Sequence, residues 1–344
     1  MSDSLLKTPY SLGYRMPAEW KRHEATWLAW PKHPDTFPKG ILEDVEDVYV
    51  KMVGALAKGE KVNVLVDDDR TKKRVLSMLR DRKNVFFHNL RTADVWIRDY
   101  GPIFIKSKSN IAAVKWIFNA WGEKWDDLKP DNESGMEVAK LSDCKIFEPG
   151  IILEGGSIDC NGLGTCLTTK QCLLNKNRNH QLSKEHIESY LRDYLGFTNV
   201  TWLNEGIVGD DTDGHIDDIA RFVNENTILC AVEQSAGDEN YEILKTNFEL
   251  LENAKDQDGN SFELMELPMP RKIEIPERRL PASYANFYIG NATVLVPTFK
   301  DKNDEKAMSI IAEFFPSREI VGIPSEALVY GYGGIHCVTQ QQPL

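Results

Sequence analysis

Apolar residues recur at helical spacing in five stretches of the chain, roughly 71–81, 133–142, 183–195, 239–254 and 304–315. Local punctuation supports two of these boundaries. Ser183 stands where an N-cap belongs and Gly196 follows the end of the same helix, while Asp304 and Pro316 bracket the last one. A short apolar run follows each helix, at 85–87, 145–147, 200–203, 262–267 and 319–323, and reads as a strand. After each run comes a loop and then one reactive polar residue, in order Asp99, Glu154, His215, Asn286 and Cys337. The first four are followed by strand–turn–strand patterns with Asn- or Gly-bearing turns at 107–110, 160–164, 224–227 and 290–293.

The five polar residues are spaced by 55, 61, 71 and 51 residues, so the chain repeats a unit of helix, strand, polar residue and hairpin. Repeats that each bring one polar residue to the same position predict a closed ring with a central site. The alternative is coincidence within a mixed α/β domain. The fifth unit runs out after CVTQQ, and the N-terminal ATWLAW (25–30) is its expected missing strand, closing the ring as propellers must to protect their edges. A further helix at 41–58 and strand at 62–66 do not fit a perfect repeat. No linker or low-complexity tract divides the chain, so residues 1–344 are expected to form one catalytic domain.

Composition narrows the function classes. A net charge of −12 argues against nucleic-acid binding, which leaves a basic footprint, and is compatible with a cationic substrate. No apolar run is long enough to span a membrane, and the opening MSDSLLKTPYSLGYRMP has no secretory pattern. The six cysteines form no CxxC pair, which suits reduced thiols in a cytoplasmic protein.

The candidate chemistry concentrates at the repeated positions. Cys337 lies in GYGGIHCVTQQQP, where glycines allow close backbone approach to a ligand and His336 is adjacent, so it reads as a nucleophile. The other five cysteines sit in apolar or strand contexts and read as core residues. His215 lies among acids in GDDTDGHIDD. Neighbouring carboxylates favour its imidazolium, which suits a proton donor, and Asp217 would share its face on a strand. Asp99, with Trp96 in DVWIRDYGP, offers a carboxylate edge and an aromatic wall to a planar cation. Glu154 precedes Gly155-Gly156 and is singled out only by the repeat. One thiol, one imidazole and several carboxylates suit attack on the central carbon of a guanidinium. They do not make a serine triad, and no phosphate-binding loop is present.

At these residues the sequence resembles the agmatine deiminase/Porphyromonas-type peptidyl-arginine deiminase family, within the wider guanidino-group-modifying superfamily. The likeness is carried by MPAEWKRHEATWLAWP (16–31), DVWIRDYGP, FNAWGEKW (118–125), ILEGGSID, TDGHIDD, SYANFYIGN (283–291) and GGIHCVTQQQP, spread over almost the whole chain. The resemblance implies an α/β fold, a five-bladed propeller (pentein) with its active site on a pseudo-fivefold axis. It implies Cys337 as the nucleophile that forms a covalent amidino-cysteine, His215 as general acid/base, Asp99 and Asp217 as guanidinium clamps, and Glu154 as the group orienting histidine. It also implies Asn286 and Trp96 as substrate-pocket residues, no cofactor and no metal. The implied reaction converts agmatine to N-carbamoylputrescine and ammonia, a step of putrescine biosynthesis. Gly334 stands where many members carry asparagine, which leaves the nucleophile intact.

Three other readings remain. Deimination of free or peptidyl arginine uses the same chemistry, but an arginine carboxylate would favour an arginine in the pocket, and KWIFNAWGEKW (115–125) has lysines only. Agmatine's amine suits an acidic pocket end instead, for which Asp211 is a candidate. A metal-dependent amidohydrolase would be built on His215, Asp213 and Asp217. A catalytically silent propeller would bind the cation and release no ammonia. The only partner expected with the substrate is a second copy of the chain, in a homodimer or higher homo-oligomer.

Overall fold

A computed structural model describes residues 7–344; the opening six residues of the N-terminal segment read above for a secretory signal lie outside it. The fold is mixed α/β. All five predicted helices are present, as Asp69–Met78, Asp131–Leu141, Lys184–Leu195, Tyr241–Glu252 and Asp304–Phe314. The first begins two residues before the apolar periodicity suggests, because the Asp68 carboxylate caps it by accepting from the Thr71 amide (2.7 Å). All five predicted strands follow, as Val85–Asn89, Lys145–Phe147, Asn199–Leu203, Glu263–Pro268 and Glu319–Pro324.

These strands are the outer members of five sheets. In four of them a hairpin pairs antiparallel and its second strand then pairs parallel with the strand that returns after the helix. Ile103–Lys106, Ile111–Val114 and Lys145–Phe147 make one such sheet, and Tyr288–Ile289, Thr293–Thr298 and Glu319–Pro324 make another. The central strands, such as TILCAV (Thr227–Val232) and TVLVPT (Thr293–Thr298), are almost wholly buried, so they read as continuous apolar runs rather than alternating ones. The fifth sheet joins the two ends of the chain. Gln340–Pro343 pairs antiparallel with His23–Ala29, as expected of the N-terminal ATWLAW segment. The helix and strand that broke the repeat, Ile41–Leu56 and Lys61–Val66, add a fourth strand to this sheet alone. A small ribbon, Glu274–Ile275 with Arg278–Arg279, has no counterpart in the sequence reading, its two-residue strands being too short to carry a periodicity.

The sheets correct the repeat's boundaries. A sheet gathers hairpin, helix and returning strand, so each reactive residue falls in the crossing from one sheet to the next. Asp99 lies between Val85–Asn89 and Ile103–Lys106, and Cys337 between Glu319–Pro324 and Gln340–Pro343. Among the described residues no helix is long and apolar enough to cross a membrane.

Gly196 ends the helix Lys184–Leu195 in the left-handed conformation (φ 81°), its amide donating to the Arg192 carbonyl at 2.9 Å. A Cβ there would lie 2.9 Å from Arg15 Cγ. Gly196→Ala should therefore cost about 1–2 kcal/mol, read as a lower urea midpoint at unchanged slope.

Candidate active site

The crossings bring the reactive residues together in the interior. Cys337 Sγ lies 3.3 Å from Asn286 Nδ2, 3.4 Å from the Gly334 amide and 3.8 Å from Asp217 Oδ2. His215 Nδ1 lies 3.8 Å from Asp99 Oδ1. All of these side chains are buried. A cavity of about 270 Å³ reaches this cluster, with Cys337, Asp99, Trp96 and Trp121 at its buried end and Asp35, Asp127 and Asp211 toward solvent. Trp125 and Tyr332 line its walls, and no lysine or arginine does.

Glycine makes the close approach possible. A Cβ on Gly156 would meet His215 Nδ1 at 2.6 Å, Asp99 Oδ1 at 3.0 Å and Asp217 Oδ2 at 3.1 Å. One on Gly333 would run into the Trp96 ring at 2.3 Å. One on Gly334 would meet Asn286 Oδ1 at 2.3 Å, so an asparagine at 334 would require Asn286 to move.

Asp99 accepts from Trp121 Nε1 (3.0 Å) and from the Gly156 amide (3.0 Å). Trp121 is delivered by a strained turn: Ala120, Trp121, Gly122 and Glu123 all have positive φ, held by Asn119 accepting from the Gly122 amide. Trp96 packs edge-on against Trp121, and its Nε1 donates to Asp94 Oδ2 (3.0 Å), so both indoles are fixed at both ends.

The electrostatics follow from burying several acids together. Burial pushes the Asp99 carboxyl up to about 6, with His215 pulling it down and Asp217 and Glu154 pushing it further. Burial likewise holds the Asp218 carboxyl well above its ordinary range, and Asp217 adds to that. Asp217 goes the other way: burial would raise it, but the hydrogen bond and charge of His336, with His215 and Arg221, bring it below the usual carboxylate value. Burial opposes the charged form of His215, yet Asp99 with Cys172 and Asp217 raises it well above an ordinary histidine. Cys337 is pushed well above a free thiol by burial and then by Asp217, Asp218 and Asp99.

Glu154 makes no hydrogen bond to His215. Buried Arg178 takes the carboxylate instead, its Nε 2.7 Å from Glu154 Oε1. Glu154 Oε2 and both His215 nitrogens have no partner, although Glu154, Cys172 and His215 lie within 4.8 Å of one another. That trio has the makeup of a metal set, but the Arg178 guanidinium on Glu154 puts a cation where an ion would compete. The set His215, Asp213 and Asp217 does not converge, because Asp213 turns to Lys124, Asn177 and Arg178 while Asp217 Oδ2 turns to His336. Asp211 does line the cavity, accepting from Trp125 Nε1 (2.8 Å).

Sequence reasoning missed Glu19, Trp121, Arg178 and Asp218. Trp121 and Glu19 stood inside quoted motifs, and Asp218 next to Asp217, but nothing in their spacing points to the site. Arg178 had no signal.

A sequence profile described as Porphyromonas-type peptidyl-arginine deiminase matches residues 15–343. The chain belongs to that family. Among relatives, an agmatine deiminase of Pseudomonas putida is 35% identical over 364 residues, covering 99% of this chain and 98% of its own. The solved agmatine deiminase of Enterococcus faecalis overlays with a TM-score of 0.90 at 32% identity, covering 100% of this chain and 99% of its own. A cysteine-to-serine form of the C. jejuni agmatine deiminase, solved with substrate bound, overlays with a TM-score of 0.87 at 34% identity and 96% of each chain.

A buried thiol surrounded by carboxylates should be slow to alkylate. In this family member, iodoacetamide labelling of Cys337 should rise with an apparent pKa above the ~8.5 of free cysteine. A value well below neutral would show a resting thiolate.

Proposed function

We propose that the protein is an agmatine deiminase, hydrolysing agmatine to N-carbamoylputrescine and ammonia. The observation that carries the reading is the cavity. Its buried end holds a thiol beside Asp99 and Asp217, its walls are aromatic, and its solvent end carries Asp35, Asp127 and Asp211 with no lysine or arginine. A guanidinium needs carboxylates at its edges, a tetramethylene chain needs an apolar sleeve, and a terminal amine needs an acid. An arginine carboxylate would meet three carboxylates at that end and no lining lysine or arginine. The agmatine deiminases among the relatives support the same choice.

The 344 residues act as one catalytic domain, and the five sheets are the blades of an α/β propeller. Antiparallel pairing of the chain's two ends, and one reactive residue in each crossing, support that reading. Asp99 and Asp217 hold the guanidinium, and Trp96 walls the methylene chain. Asn286 supports the sulfur, and Asp211 takes the amine. The bound cation, set against the sulfur, offsets the carboxylates that oppose the thiolate. Cys337 then attacks the central carbon. The C–N bond breaks as His215 protonates the leaving nitrogen, and the proton lost by sulfur balances the one that ammonia takes. The covalent amidino-cysteine is cationic. His215, now neutral, removes a proton from water, which attacks the same carbon. The C–S bond breaks, giving the ureido product, the free thiol and one proton. Glu154 acts on His215 by charge from within 4.8 Å while anchored to Arg178.

Purified protein should form ureido product from agmatine and much less from arginine or a peptide ending in arginine. Faster turnover of either arginine substrate would overturn the substrate assignment. Cys337→Ala should abolish turnover and leave agmatine binding largely intact by calorimetry. A bound, unreactive cationic guanidine that leaves the sulfur accessible should lower the alkylation pKa of Cys337, since each unit requires about 1.4 kcal/mol of added interaction with the thiolate. Trp121→Phe keeps the ring but removes a hydrogen bond to a buried carboxylate worth roughly 1.5–3 kcal/mol, so KM for agmatine should rise about tenfold or more.

A further inference from the structure

Behind the cavity, the residue before the nucleophile sits between two carboxylates. His336 Nδ1 lies 2.7 Å from Asp217 Oδ2, and His336 Nε2 lies 2.8 Å from Glu19 Oε2. All three side chains are buried. Ionised carboxylates only accept hydrogen bonds, so both contacts are satisfied together when the ring carries a proton on each nitrogen. Glu19 can remain charged at that depth because Arg221 lies 3.0 Å from Oε1 and Arg98 lies 3.6 Å from Oε2, while the Ile289 amide donates to Oε1 at 2.9 Å. Burial works against Glu19, and Arg221, His336 and Arg98 together hold its carboxyl well below the usual range.

The atom contacted on Asp217 matters. Oδ2 receives His336 and also lies 3.8 Å from Cys337 Sγ, while Oδ1 is buried with no partner. His336 thus fixes one carboxylate oxygen and leaves the other free for a ligand. The geometry points to His336 as a positioning residue: an imidazolium, braced by Glu19, that orients Asp217 and keeps it anionic for the guanidinium. The inference rests on the guanidine-hydrolase reading above. The other groups facing Asp217 are His215, Asp99, Asp218, Arg221 and Cys337, and of these only the Cys337 thiol lies within hydrogen-bonding reach, at 3.8 Å from Oδ2 against 2.7 Å for His336. The backbone of His336 has separate duties that survive substitution of its ring: its amide donates to Asn286 Oδ1 (2.8 Å), and its carbonyl accepts from Arg98 Nε (3.2 Å).

The two ring nitrogens can be separated by substitution. An asparagine at 336 places its amide near the Nδ1 position and can still donate to Asp217, without the charge. A glutamine reaches the Nε2 position and serves Glu19 instead. Loss of the imidazolium should raise the Asp217 carboxyl. Asp99, raised to about 6, already shapes the acid limb of kcat/KM, so a risen Asp217 adds a second proton to it. For His336→Gln the limb should steepen and move to higher pH, and KM for agmatine should rise roughly tenfold or more with a smaller loss in kcat. His336→Asn should show both effects in weaker form. A folded His336→Gln variant with the wild-type limb and KM overturns the role, as does His336→Asn being the worse of the two, which would mark His336 as an anchor for Glu19 only. Should neither variant fold, Glu19→Gln carries the test. With that carboxylate gone the ring loses its brace at Nε2, and the limb should again move upward; an unmoved limb overturns the inference. Wild-type protein that makes no ureido product removes the functional reading and this role with it, whereas active wild type with unmoved variants removes this role alone.

Discussion

Asp99, Glu154, Asp217 and Asp218 are all buried around Cys337 and His215, and this crowding of like charge governs the rest of the site. Left alone, buried acids this close would protonate and lose their use as cation ligands. The structure resolves the conflict unequally. Asp218 and Asp99 are pushed up, Asp99 to about 6, whereas Asp217 is held down by His336 and Glu154 is paired with Arg178. The thiol bears the residual field, which holds it well above a free cysteine.

Holding those acids in place requires rigid supports, some of them under strain. Four consecutive left-handed residues at 120–123 present Trp121 to Asp99. Non-glycine residues in that region each cost on the order of 1 kcal/mol or more, a sacrifice of stability for a fixed donor. Gly156 and Gly333 serve the opposite need. They remove volume where His215 and Trp96 must come close to the backbone. Hydrogen bonds and ion pairs from Trp121, His336 and Arg178 thus fix the carboxylates of Asp99, Asp217 and Glu154.

The fold was legible because its repeat is written in apolar spacing. Helices such as Lys184–Leu195, with Ser183 and Gly196 at its ends, carry their own boundaries, and buried central strands read as apolar runs. The ribbon Glu274–Arg279 left no trace because two-residue strands have no period. Of the site, the residues that stand one per repeat could be found from register alone. The supporting residues could not. Glu19 lies 317 residues from His336 in sequence, and Arg178 lies 24 from Glu154. Their pairing depends on how sheets meet, which periodicity within a sheet does not encode.

This arrangement ties chemistry to topology. Each reactive residue lies in a crossing between two sheets, so no single sheet contains a working part of the site. Cys337 is followed within three residues by the strand that pairs with His23–Ala29, and Glu19 lies four residues before that same strand's start. Joining the two ends of the chain therefore brings together Cys337, His336 and the Glu19 carboxylate on the His336 ring.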